Sequence, residues 1–271
     1  MEEIYIFGHK NPDTDTILSA LILEAIEKTM GIHKVKAYRL GEVNKETQYA
    51  LDYFGVKAPE LLEEVEEGRQ VMLVDHNEFG QSVKGIEKAK IIRVVDHHKI
   101  ANFETKEPLF YMAMPVGCTA TILRDMCKVS GIKLDRITAG LMLSAIISDT
   151  LLLKSPTTTE KDKETAEELA KIVNVDLNAY GMDMLKAGTD LSDFTAEQLI
   201  NIDSKPFETK GVKYQVAQVN TASIEDVLKN KEQIEEEMAK FMHENGEDLF
   251  VFLITDIIAN NSQVIALGRQ D

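Results

Sequence analysis

This sequence of 271 residues predicts an α/β protein of two domains. The first is a doubly wound parallel sheet; the second is a smaller α/β domain with a mixed sheet, incomplete at its C-terminal end. Three observations carry that expectation. Apolar strand-like runs alternate with helical runs through the first half of the chain. Three of those strands run directly into acids and histidines, and in open parallel sheets ligands bind beyond the carboxyl ends of strands. A small, polar stretch, Ala187-Gly188-Thr189-Asp190-Leu191-Ser192-Asp193, then separates a region of different alternation.

The first strand is Ile4-Tyr5-Ile6-Phe7, followed at once by Gly8, His9, Asp13 and Asp15. Asn11-Pro12 marks a turn, and Thr16 is placed to cap a helix through about residue 30 that is apolar nearly all round and therefore buried. A short strand at 35–40 and a helix at 45–54 follow. Segments 71–77 (VMLVDHN) and 91–100 (IIRVVDHHKI) are apolar strands ending in Asp-His. A further strand at 109–114 precedes helices at 117–130 and 134–148, the second delivering Asp149. Residues 158–185 read as helical and polar on one face. Beyond the boundary come a strand at 212–219, a helix at 223–244, a strand at 249–255 and another at 262–267. The domains are thus 1–187, a linker at 188–194, and 195–271. The acidic stretches 60–67 and 232–237 read as solvated helix faces.

Composition narrows the class. Thirty Lys and Arg against 46 Asp and Glu give a formal net charge of −16, which on average repels a nucleic-acid backbone. The apolar runs are too short for a bilayer span and the start lacks a basic secretory signature, so a soluble cytoplasmic protein is expected, with no membrane or nucleic-acid partner. Cys118 and Cys127 sit nine residues apart on one predicted helix, roughly 13 Å by helical rise and beyond disulfide reach. Without a Cys-x-x-Cys pair there is no zinc ribbon or redox motif.

The acids and imidazoles are informative jointly. His-x-x-x-Asp-x-Asp alone occurs in ordinary turns, and Asp75-His76 alone is an ordinary strand end. Several carboxylates converging on one rim, however, repel one another unless cations compensate. Oxygen and imidazole donors without thiolate suit Mn, Co or Mg chemistry, and a carboxylate between two such ions sets them about 3.5–4 Å apart, as in two-metal phosphatase sites. In an extended chain the adjacent rings of His97 and His98 point opposite ways, so one ligates and the other either serves a phosphate or lies at the surface. His76, His243 and His33 read as non-ligands.

Specific stretches extend this reading: GHKNPDTDT at 8–16, GEVNKETQYALDYFG at 41–55, VDHNE at 74–78, DHHKIANF at 96–103, PVGCTATI at 115–122, GLMLSAIISDT at 140–150, KSPT at 154–157 and MLKAGTDLS at 184–192. Together they resemble the DHH phosphoesterase superfamily, and within it closely the family II, manganese-dependent, inorganic pyrophosphatases. The resemblance implies a parallel-sheet catalytic domain, a smaller C-terminal lid and a homodimer. By motif, His9, Asp13 and Asp75 resemble the ligands of one metal, and Asp15, Asp75, His97 and Asp149 those of the other, with Asp75 as the bridge. His98 matches a substrate-facing active-site histidine, and Lys205 a phosphate-binding lysine. The implied cofactors are two Mn²⁺ per subunit, or Co²⁺, with Mg²⁺ carried by the substrate. The implied reaction is hydrolysis of inorganic pyrophosphate by a metal-bridging hydroxide. The alternatives are another DHH phosphoesterase or a metal- and phosphate-binding chain without turnover. The family's C-terminal Ser-Arg-Lys-Lys type segment is missing beyond Gly268-Arg269-Gln270-Asp271, so the chain reads as shortened by some tens of residues. The run 78–95 leaves no room for a regulatory nucleotide-binding insertion.

Overall fold

In a computed structural model, residues 2–32, 34–257, 259 and 261–268 are described; His33 and residues 269–271, singled out above, lie outside them. The chain divides into two compact units, one ending at Gly188 and the other beginning at Thr189. The first contains six parallel strands: β1 Ile4–Phe7, β2 Val35–Arg39, β3 Glu60–Leu61, β4 Gln70–Val74, β5 Lys90–Asp96 and β6 Phe110–Ala113. Their spatial order is β3-β2-β1-β4-β5-β6, so the winding reverses between β1 and β4. That reversal opens a crevice at the carboxyl ends of these two strands, where His9 and Asp75 follow.

Strand alternation divides the apolar side chains between two cores. Ile6, Met72, Val74 and Val95 face the larger one, with α1 (Thr14–Thr29), α2 (Lys45–Phe54), α3 (Thr119–Val129), α4 (Arg136–Asp149), α5 (Glu160–Val173) and α6 (Leu177–Gly188). Phe7, Val71, Leu73 and Val94 face the other, which is closed by Val65, Val83 and Ile86 from irregular chain and short 3₁₀ turns at Phe79–Gln81 and Ile86–Lys88. Helices α1 and α4 pack on each other, and every residue of 138–147 in α4 is buried. Such a helix has no polar face and belongs inside the protein.

Several elements differ from the sequence expectation. The cap of α1 is Asp13, not Thr16: its carboxylate accepts the Thr16 N–H at 2.9 Å, which leaves the Thr16 hydroxyl free for another task. The acidic run 60–67 is not helical. Its backbone is satisfied sideways instead, Leu62 N donating to Arg39 O and Val65 N to Lys84 O. The stretch 158–185 breaks into α5 and α6 because Asn174 takes a left-handed conformation, φ 61°, and ends α5. Residue 188, placed in a linker by composition, is the last of α6. Cys118 sits at the start of α3 and Cys127 within it; both are buried and free.

The second unit has a four-stranded mixed sheet of order β10-β9-β8-β7, with β7 Asp203–Thr209, β8 Val212–Thr221, β9 Leu249–Asp256 and β10 Asn261–Gly268. Only the β8–β9 pair is parallel. Helices α7 (Ala196–Asn201), α8 (Ile224–Leu228) and α9 (Lys231–Asn245) accompany it, and Leu199, Ile234, Met238, Phe250, Phe252 and Ile254 form its core. The helix expected at 223–244 is two helices. Strand β7 escaped the sequence reading because it carries Pro206; as an edge strand it tolerates the missing N–H.

The contact between α4 and α2 depends on Gly140. A Cβ built there would lie 2.2 Å from the Phe54 ring. We expect Gly140→Ala to destabilise the protein by about 1–2 kcal/mol in urea unfolding, overpacking outweighing the gain in helix propensity. A variant as stable as the parent would show that Phe54 swings aside freely.

Candidate metal centre

Five pieces of chain deliver the donors. His9 follows β1; Asp13 and Asp15 sit at the N-terminus of α1; Asp75 follows β4; His97 follows β5; and Asp149 is the last residue of α4. Two of these positions have unusual backbones. Asp75 is left-handed, φ 59°, while its N–H remains paired with Val95 O at 2.9 Å. Such a conformation in a non-glycine residue costs energy and clusters at functional sites. After Asp149 the chain reverses hand for three residues, Leu151, Leu152 and Leu153, all at positive φ. This turn is pinned by Leu152 N to Ile147 O and Leu153 N to the Thr150 hydroxyl, so α4 stops with Asp149 in its final turn.

The side chains assemble into two main groups that share one carboxylate, and a third set, Asp75, His97 and His98, overlaps the second. His9, Asp13 and Asp75 offer atoms within 4.8 Å of one another, and so do Asp15, Asp75, His97 and Asp149. Asp75 Oδ2 faces His9 Nε2 at 3.5 Å, and its Oδ1 faces His97 Nε2 at 3.3 Å. His9 Nε2 is also 3.5 Å from Asp13 Oδ2, and His97 Nε2 is 3.6 Å from Asp149 Oδ2. Each oxygen of Asp75 thus belongs to a different group.

Hydrogen bonds behind the donors fix their aim. The Thr16 hydroxyl donates to Asp75 Oδ2 at 2.6 Å and the Thr119 hydroxyl to Oδ1 at 3.0 Å. Asp15 accepts from the Ser19 hydroxyl and from Thr119 N at 2.6 and 2.7 Å. His9 Nδ1–H donates to Lys10 O and His97 Nδ1–H to Val116 O, which turns each Nε2 toward the carboxylates. Sequence reasoning gave Thr16 the wrong role and Thr119 none; the signal for Thr119 was a hydroxyl residue inside the PVGCTATI stretch.

The electrostatics show what this arrangement lacks. Burial and then the charge of Asp75 push the Asp15 carboxyl up to about 6. Burial, followed by Asp15 and Asp75, raises Asp149 well above the carboxylate range. Burial alone would lower His9, but its bond to Asp13 and the field of Asp75 leave it raised to about 9; His97 reaches about 9 in the same way through Asp75 and Asp15. The imidazoles retain protons while two carboxyls gain them, the response of clustered acids without a countercharge. Hard oxygens with two imidazoles and no thiolate fit a pair of octahedral divalent ions of the Mn, Co or Mg type.

His97 and His98 do not point opposite ways as an extended chain requires. The strand ends at Asp96, and their ring centroids are 4.2 Å apart on one side. His98 Nδ1 is 2.9 Å from Asp96 Oδ1 and 3.6 Å from Asp75 Oδ1, and the side chain is 50% exposed. The Asp96 bond outweighs burial and raises the His98 pKa. Asn77, given no role from sequence, bonds Asp96 Oδ2, Lys99 O and Ala101 N and so secures the loop that carries His98. His76 is buried, donates to Val74 O, accepts from the Ser82 hydroxyl, and is lowered to about 4 by burial. His243 lies in the last turn of α9 in the second unit. Lys205, on β7, is exposed and 3.3 Å from Asp203.

Filling this centre with ions must expel protons, because His9 and His97 hold theirs to about pH 9 and Asp15 to about pH 6. Apparent Mn²⁺ affinity is therefore expected to rise between pH 6 and 9, by about tenfold per pH unit for each proton displaced. Calorimetry in two buffers of different ionisation enthalpy counts those protons; a flat profile without release would contradict the assignment. Without metal the sign reverses for stability. His9 and His97 bind protons more tightly folded than unfolded, so the metal-free protein should lose stability as pH rises from about 6.5 to 9.

Comparison with known proteins agrees with the geometry. Residues 3–146 match the DHH family, N-terminal domain, and residues 182–270 the DHHA2 domain. The manganese-dependent inorganic pyrophosphatase of Bacillus subtilis is 52% identical over 271 residues, all of this chain and 87% of that protein. An Oceanobacillus iheyensis protein assigned as a manganese-dependent inorganic pyrophosphatase is 54% identical over 269 residues, 99% of this chain and 87% of its own. A crystal structure from Methanococcus jannaschii, assigned to the family II inorganic pyrophosphatases, superposes with a TM-score of 0.72 at 40% identity, covering 98% of this chain and 88% of that one. With DHH and DHHA2 domains in series and relatives matched from end to end of its sequence, the chain belongs to the family II, manganese-dependent, inorganic pyrophosphatases.

Proposed function

We propose that this protein hydrolyses inorganic pyrophosphate to two phosphates at a dinuclear manganese centre, with His9, Asp13 and Asp75 holding one ion and Asp15, Asp75, His97 and Asp149 the other. The observation that carries the reading is the division of Asp75 between the two groups, Oδ2 toward His9 and Oδ1 toward His97. Bound ions would supply Lewis acidity to phosphoryl oxygens and acidify an attacking water near neutral pH. The chain's own residues do the rest. Asp75, held by two threonine hydroxyls, fixes the relation of the two groups. His98, its Nδ1 engaged by Asp96, keeps Nε2 for a substrate oxygen, as a hydrogen-bond donor or general acid. Lys205 is retained as a phosphate-binding cation on the family motif.

Co²⁺ as a replacement ion, Mg²⁺ brought in with pyrophosphate, a homodimeric assembly and a cytoplasmic location complete the proposal. Net charge −16 argues against a polynucleotide substrate. Among the described residues no helix is long and apolar enough to cross a membrane.

Phosphate release from pyrophosphate with Mn²⁺, against an EDTA control, tests the activity; release only from other phosphate esters would redirect the reading to another DHH phosphoesterase. Asp75→Ala is expected to abolish loading of two ions, and a variant that still binds two Mn²⁺ would sink the bridging role. His98→Gln should keep both ions and lose turnover by about 10²- to 10⁴-fold, the range for a lost general acid.

A further inference from the structure

The carboxylate of Asp162 lies at the start of α5, is fully buried, and belongs to neither group of donors. It accepts four hydrogen bonds. Two come from Thr159, N–H at 2.8 Å and hydroxyl at 2.6 Å; the first, with Asp162 N–H donating back to the Thr159 hydroxyl at 3.4 Å, makes the capping box of α5. The others come from a different part of the chain: Gly117 N at 2.8 Å, also to Oδ2, and the Thr121 hydroxyl at 2.6 Å, to Oδ1. A helix cap needs no bond from outside Thr159. The second two clamp the segment 117–121 between β6 and α3.

That segment and the residue before it aim three of the four donors in one group. Val116 O receives His97 Nδ1–H, while Thr119 donates its N–H to Asp15 and its hydroxyl to Asp75 Oδ1. The fourth donor adjoins the same junction: a Cβ at Gly117 would lie 2.9 Å from Asp162 Oδ2 and 3.0 Å from the Thr150 methyl, and Thr150 follows Asp149. The opposite group is held otherwise, Asp75 Oδ2 by Thr16, Asp13 by Thr16 N and His9 by Lys10 O. We infer that Asp162 is a positioning residue for the group of Asp15, Asp75, His97 and Asp149, acting through Gly117 and Thr121, and reaches the group of His9, Asp13 and Asp75 only through the shared Asp75. The inference rests on the two-ion reading proposed above.

Metal loading separates this role from a cap. In a Mn²⁺ titration of the full chain followed by calorimetry and electron paramagnetic resonance, His9→Gln identifies the step that belongs to the three-donor group. Asp162→Asn removes the charge and replaces one oxygen by an NH₂, which its amide turns toward the Thr121 hydroxyl so that the remaining oxygen meets the three donors on Oδ2. It is expected to weaken the four-donor step by on the order of 10- to 100-fold and leave the other within about threefold. Thr121→Val, which removes one bond at nearly constant volume, should weaken the same step to a smaller extent. A lower melting temperature with both steps unchanged, or both steps weakened alike, would overturn the inference. If Asp162→Asn does not fold, wild-type loading by Thr121→Val overturns it instead. A wild-type chain that loads fewer than two ions would overturn the two-ion reading, and this inference with it.

Discussion

Mutual repulsion among the carboxylates of Asp13, Asp15, Asp75 and Asp149 is the constraint around which the first unit is built. Charges brought this close with little water cannot all remain ionised without compensation. The protein supplies part of that compensation itself. Asp13 and Asp15 stand at the N-terminus of α1, where the helix dipole and free N–H groups favour anions. Asp149 stands at the C-terminus of α4, where the dipole has the opposite sign. Two helix ends of unlike polarity thus meet, and the acid at the unfavourable end is one driven well above its ordinary range. The balance left over is what bound divalent cations can settle.

Directional bonds do what net charge cannot. Thr16 and Thr119 approach Asp75 from its two oxygens, and Asp15 takes one donor from its own helix and one from the start of α3. Each of these donors comes from a segment buried against the shared core of α1, α3 and α4. Packing free energy is therefore spent in part on keeping like charges aligned.

Much of this was legible in the sequence because strand ends are legible. An apolar run that breaks into Asp-His declares both the strand and the rim, and β1, β4 and β5 do so in turn. The resemblance supplied the division of ligands proposed above. What could not be read was the local backbone. The strand rule sent His97 and His98 to opposite sides, but the chain has left the strand by that point. Thr16 looked like a cap because its sequence position allowed it, and only the placement of Asp13 released its hydroxyl. Pro206 concealed β7, and the acids of 60–67 gave no sign that their backbone pairs sideways. Asn77 and Asp162 act through bonds spanning 19 and 45 residues, beyond any local pattern.

The three left-handed leucines after Asp149 bear on when the centre comes into being. A left-handed turn costs L-residues roughly 1–2 kcal/mol per position, so an unfolded or half-folded chain has no reason to form it. Leu152 is 7% exposed in the folded protein, packed into the main core, and it is that packing which holds the turn. Before the core closes, the segment is free to continue the right-handed helix or to fray, and Asp149 has no fixed place. The place of Asp149 in the candidate site therefore depends on the packing of a leucine three residues further along the chain, and loosening that packing would free the carboxylate without touching any other donor.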